Sequence, residues 1–173
     1  MGRRERFAGL GIIVITGLFL TVAAAEELPK QTVLPTALAN KAAAGALDKC
    51  KQDGYRVSAA VVDRDGVLIA LIRADGAGPH TVFSSTKKAF TAASLRRPTS
   101  ELAEAIAKQP TLEGLRQMDP NILILGGGLP IELGGEVVGG IGVGGSPGAL
   151  LDEACARAGL ESIGAAPKAT GGR

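Results

Sequence analysis

The sequence predicts an α+β fold: a central antiparallel sheet of about five strands with helices on its faces, in the order α-ββ-αα-βββ-α. Two hairpins and the helices around them carry that prediction. In the first hairpin, the apolar runs Val57–Val62 and Val67–Ile72 flank Asp63-Arg64-Asp65-Gly66, a short Asp/Gly turn. In the second, Leu129–Leu133 and Glu136–Val143 flank Gly134-Gly135. Connections this short require antiparallel pairing. Segments of helical period precede, separate and follow the hairpins.

The chain starts with a basic stretch holding Arg3, Arg4 and Arg6, then an apolar run, Ala8–Val22, then Ala23-Ala24-Ala25. This is the pattern of a secretory signal peptide spanning residues 1–25. The run is short for a membrane span, which takes about 20 residues; an uncleaved anchor is the alternative. The expected product is exported, periplasmic or extracellular, with no membrane attachment once the signal is gone. Cleavage removes three of the 19 basic residues and one of the 17 acidic ones, leaving equal numbers of each. A neutral domain has no surplus with which to neutralise phosphates, so nucleic acid is not an expected partner.

Residues 26–33 form a polar lead-in to a domain spanning 34–164. Leu34–Gln52 is expected as a helix, with Leu38, Ala42, Ala46, Leu47 and Cys50 on one face and Pro35 in its first turn. Asp53-Gly54 ends it. The first hairpin follows, and its continuous apolar runs imply that both faces are covered. A helix is expected over His80–Arg96, broken by Pro98, and a second over Glu101–Lys108, capped by Thr99 or Ser100. Leu112–Met118 reads as a helical turn and Ile122–Leu125 as a short strand. Leu129–Leu133 is a strand candidate that Pro130 places at a sheet edge, or with the proline among its first residues. The last helix is expected over Ala149–Ala158, closed by Gly159, with residues 165–173 a disordered tail.

His80, the only histidine, stands where a helix begins, after the loop Asp75–Pro79. Its imidazole is a ligand type for haem iron or another metal. At 100° per residue, Val82, Phe83, Thr86, Ala89, Phe90 and Ala93 fill one arc, expected as core. His80, Ser84, Lys88 and Thr91 fill the opposite arc, which either lines a site or faces solvent. Arg73 ends the preceding strand; it and Lys88 are suited to a carboxylate or a haem propionate. The competing reading is a surface histidine with both cations solvated.

Other motifs carry less. Gly140, Gly142 and Gly145 fit G-x-G-x-x-G, but no βαβ unit surrounds them, so they are read as close-packing glycines. The start of the last helix, reached through Gly145-Ser146, is a weaker anion-site candidate. Asp63, Asp65 and Asp75 lack the spacing of a Ca²⁺ loop and read as turn residues. Ser84 and Ser85 have no nucleophile elbow around them.

Several stretches together resemble one family. VVDRDGVLIALIRADGAGPHT, KKAFTAASLRRPT, GGGLPI, GEVVGGIGVGGSPG and DEACARAGL are similar to the GlcG/HbpS family of haem-binding and haem-degradation-associated domains, from about Leu34 to Ile163. The resemblance implies a profilin-like sheet with the terminal helices adjacent on one face. Cys50 and Cys155 would then lie on neighbouring helices, either bridged or as two buried thiols. It also implies haem, or another small anionic ligand, and a homo-oligomer. His80 would be the axial ligand, with Arg73 and Lys88 near the propionates. Thr81, Ser84 and Thr91 would line the same pocket, and Gly128 and Pro130 would border it. The functions in view are storage, sensing or delivery of haem, turnover of haem or a small organic acid, and a ligand-free assembly subunit. No catalytic pair stands out, so binding ranks first.

Overall fold

The computed structural model describes Gly2 and residues 27–165. The expected signal peptide, Gly2 apart, and the tail beyond Ala165 lie outside the described residues. Residues up to Lys30 form a separate unit, whose described part holds an exposed Lys30–Glu27 pair at 3.6 Å. The second unit starts at Gln31. Its elements are α1 (Thr36–Gln52), β1 (Ser58–Asp63), β2 (Leu68–Arg73), α2 (His80–Leu95) and α3 (Thr99–Lys108), then a 3₁₀ helix (Pro110–Gln117), β3 (Gly128–Leu133), β4 (Glu136–Gly144) and α4 (Ala149–Ser162).

The sheet has four strands in the order β2-β1-β4-β3, all antiparallel. The α+β class is therefore correct, but the fifth strand, Ile122–Leu125, does not form. Its backbone is satisfied by side chains instead of a ladder. The Leu123 N–H donates to Thr91 Oγ1 at 2.8 Å. Arg116 donates to the Ile124 carbonyl at 3.0 Å, and the Thr99 hydroxyl to the Leu125 carbonyl at 2.8 Å. Ile122 and Ile124 still bury themselves, against Leu102 and Ile106 of α3. Thr99 is thus spent on this segment rather than on capping α3, whose N-cap is Pro98.

Side-chain alternation divides the sheet. Val57, Ala59 and Val61 join Ile141, Val143, Leu129 and Ile131 in one core with α1 and α4. Ala60 and Val62 point the other way, toward Ala89 and Ala93 of α2. β1 is buried along its length, whereas β2, an edge strand, leaves Leu68 and Leu71 exposed. The expectation of cover on both faces fails for β2. Asp63 holds the hairpin turn, accepting from the Asp65 and Val67 N–H groups at 2.9 Å each.

α1 and α4 lie side by side because both are lined with small residues. A Cβ on Gly159 would stand 2.5 Å from the Ala42 carbonyl oxygen and 3.0 Å from the Ala46 Cβ. Gly159 therefore sits inside α4, which continues to Ser162, and does not close it. At the other end, α1 begins at Thr36, with Pro35 outside as the N-cap. Cys50 and Cys155 are bridged across the pair, with Cα atoms 5.5 Å apart.

On the opposite face, α2 lies over the glycines of β4, Gly140, Gly142 and Gly144. A Cβ on Gly142 would fall on the Ser85 carbonyl oxygen and 2.5 Å from the Ala89 nitrogen. One on Gly140 would fall on the Ala89 carbonyl oxygen and 2.9 Å from the Ala93 nitrogen. The helix residues facing this strand are consequently small: Ser85, Ala89, Ala92 and Ala93 are all buried.

Two tests follow from this packing. Gly142→Ala should cost about 2–4 kcal/mol, since the methyl meets backbone that cannot step aside. Gly114→Ala, with nothing within 4 Å of the new carbon, should change stability by less than about 0.5 kcal/mol in the same urea titration. Removing the bridge by Cys50→Ala with Cys155→Ala opens a link between residues 105 apart in sequence. It should cost about 3–5 kcal/mol, and the parent protein should show no titratable thiol before reduction.

Candidate functional site

The loop between β2 and α2 is built by its neighbours. Gly76 has φ +75°, which favours glycine, and Arg56 lies over it: a Cβ there would meet Arg56 Cδ and Nη1 at 3.2 Å. Arg73, the last residue of β2, donates from Nε to the Ala77 carbonyl at 2.9 Å and also from Nη2. Ala77 is buried beneath. The Thr81 hydroxyl, also buried, donates to the Gly78 carbonyl at 2.6 Å and takes a hydrogen bond from Ser58 at 2.7 Å. The loop is thus pinned to the ends of β1, β2 and α2.

His80 is the first residue of α2 and is exposed. Its ring folds back over Gly78, where a Cβ would stand 2.5 Å from Cε1 and 2.8 Å from Nδ1. Phe83, expected in the core, is 72% exposed. It lies three residues after His80, and Lys87, half-buried, four residues after Phe83, so the three share one outer stripe of α2. The expected arcs are therefore displaced around the helix. The glycine-lined strand admits small side chains only, which turns Phe83 outward and brings much of the polar arc inward. Ser84 is half-buried, its hydroxyl donating to the Thr81 carbonyl at 3.2 Å.

Lys88 is the largest correction. It is buried, with 2% of its side chain exposed, and its Nζ donates to Asp152 Oδ2 at 2.8 Å and to the Val143 carbonyl at 2.9 Å. Asp152, 5% exposed, accepts from the Ser146 N–H through Oδ1 at 3.0 Å. The pair connects α2, β4 and the start of α4. Lys88, expected on an open polar arc beside His80, is therefore paired inside the fold, whereas His80 is exposed. The anion at the start of α4 is the protein's own Asp152 carboxylate.

Thr91, Gly128 and Pro130 are likewise interior. The Thr91 hydroxyl donates to the Lys87 carbonyl at 2.7 Å while accepting from Leu123. Gly128 donates to Thr99 Oγ1 at 2.9 Å, and its Cα lies so close to α2 that a Cβ would fall on the Lys88 carbonyl oxygen. Pro130 sits opposite Gly140 in β3, at the edge that its missing N–H requires. The structure thus brings Arg73, His80 and Thr81 together at one loop and separates them from the buried Lys88, Thr91, Gly128 and Pro130.

Beside the loop is a cavity of about 310 Å³, lined by Leu47, Lys51, Tyr55, Arg56, Arg73, Ala74 and Asp75. Of these only Arg73 stands out in the sequence. A cavity of about 320 Å³ along α3 is lined by Arg97, Glu101, Glu104 and Lys108, whose charges pair as Arg97–Glu101 and Lys108–Glu104. Lys88→Met should leave the Asp152 carboxyl without its partner in the interior and cost about 3–5 kcal/mol by urea unfolding. Lys88→Met with Asp152→Leu should recover most of that loss, since neither charge remains.

Comparison with known proteins agrees with this architecture. A family model described as "Haem degrading protein HbpS-like" matches residues 34–161. The crystal structure of a double mutant of Streptomyces reticuli HbpS is 43% identical, with a TM-score of 0.74, over 84% of this chain and 97% of that one. Protein GlcG of Escherichia coli is 32% identical over 113 residues, 65% of this chain and 82% of that protein. The crystal structure of a PduOC:Heme complex shares the fold, with a TM-score of 0.69 at 24% identity, over 76% of this chain and 95% of that one. Matched over most of its described domain, the chain belongs to the HbpS-like family.

Proposed function

We propose that this protein binds haem or a related tetrapyrrole on the outer stripe of α2, in storage, sensing or delivery. The observation that carries the reading is the exposed His80 one turn from the exposed Phe83. A macrocycle needs a ligand for its iron and a flat apolar contact for its face, and these two side chains are of those types. Lys87, further along the stripe, replaces Lys88 as the cation suited to a propionate. Arg73 acts at one remove, by fixing the loop over which the His80 ring rests. When bound, haem would supply iron for axial ligation; the chain supplies the imidazole, the apolar contact and the countercharge. The family match and the haem complex of a protein of the same fold support this reading.

Export belongs to the same proposal. A buried bridge between α1 and α4 fits a protein made for an oxidising compartment. Assembly into a homo-oligomer fits the exposed Leu68 and Leu71 on the edge strand β2. An absorbance titration with haemin tests the binding reading. The parent protein should give a saturable Soret shift, and His80→Ala should lose it or weaken binding at least tenfold with an unchanged circular dichroism spectrum. Equal titration of the two proteins would overturn His80 as the ligand.

A further inference from the structure

We propose that the cavity between the end of α1 and the β2–α2 loop is a binding site for a small organic acid with an apolar body. This does not rest on the haem reading. Three cations line it, Lys51, Arg56 and Arg73, against one carboxylate, Asp75. Among the described residues none of these cations belongs to an ion pair. The domain as a whole is close to neutral, so this surplus is local and not the reflection of a basic protein.

Arg73 is held in place by its Nε and Nη2 bonds to the Ala77 carbonyl, and the exposed Arg56 lies along Gly76, where a side chain would crowd it. A guanidinium positioned before the ligand arrives loses little freedom on binding, and Arg56, whose hydrogen bonds are not spent on the loop, offers a fork suited to a carboxylate. The remaining wall is apolar, from Leu47 and the Tyr55 ring. The volume of about 310 Å³ is at the lower end of the range for ligand pockets, about 300–1,000 Å³, which excludes a tetrapyrrole and suits a single ring or a short branched chain. Positive charge alone would admit inorganic phosphate. The apolar wall gives an organic body an advantage that phosphate lacks.

Fluorobenzoate, followed by fluorine NMR with the intact protein, tests this. The expected result is saturable binding that weakens at least tenfold in Arg56→Ala and also weakens in Lys51→Ala. Both positions are exposed, and unchanged melting curves would establish that the variants fold. Neutral fluorobenzamide should bind at least tenfold more weakly, and equimolar phosphate should not displace fluorobenzoate. The haemin titration should be the same in Arg56→Ala as in the parent, so loss of either ligand is read separately. Equal fluorobenzoate binding by Arg56→Ala, or no saturable binding by the parent, would overturn the site. Equal binding of fluorobenzamide, or displacement by equimolar phosphate, would overturn the ligand class.

Discussion

The approach of α2 to the glycine face of β4 governs the rest of the structure. Gly140, Gly142 and Gly144 face the helix, and the space for a Cβ is already filled by the Ser85 and Ala89 carbonyl oxygens and by Ser84. A helix this close to a strand buries backbone and small side chains, so large apolar residues cannot lie beneath it. Phe83 is forced outward and His80 with it, while Ser85 and Ala89 face in. The helix face is thus selected by room, and hydrophobicity ranks second.

That same closeness explains how a lysine comes to lie in the interior. The Lys88 stem runs past Gly142 and Gly127, which leave space where other residues would block it. Its charge is then met on two sides, by the Val143 carbonyl and by Asp152, and Asp152 is itself held by the Ser146 N–H. A buried pair rarely stabilises more than well-packed apolar residues would, because desolvating both ions costs so much. Its contribution here is geometric: it fixes the entrance to α4 relative to α2 and β4. The bridge between Cys50 and Cys155 fixes α4 to α1 on the other face. α4 is therefore tied through the sheet to helices on both sides.

The fold was largely legible from residues 57–72 and 129–143, where turn chemistry and apolar runs coincide. The phantom strand Ile122–Leu125 shows the limit of that reading. Its composition is right for a strand, but the Thr91 and Thr99 hydroxyls, remote in sequence, and the nearer Arg116 guanidinium took its backbone bonds. The placement of the candidate residues was legible in part. His80 and Arg73 lie at one loop, as expected, because each begins or ends an element there. Lys88 was misplaced because helical arcs were ranked by polarity, and its partner is 64 residues away, a separation that carries no local signal. The alternating glycines of β4 held the missing information: a strand face of glycines draws the helix so close that the residues opposite must be small.

Charge distribution follows from the same division between inside and outside. The interior cation, Lys88, is neutralised within the fold and has nothing left to offer a ligand. Three cations outside the ion pairs of the described residues, Lys51, Arg56 and Arg73, gather instead where α1 ends and the β2–α2 loop begins. A near-zero net charge argues against a long polyanion, whose binding needs many contacts at once. It places no such limit on a single small anion, which needs only a local surplus of cations. Net charge and local charge thus exclude different partners, and here only the first is neutral.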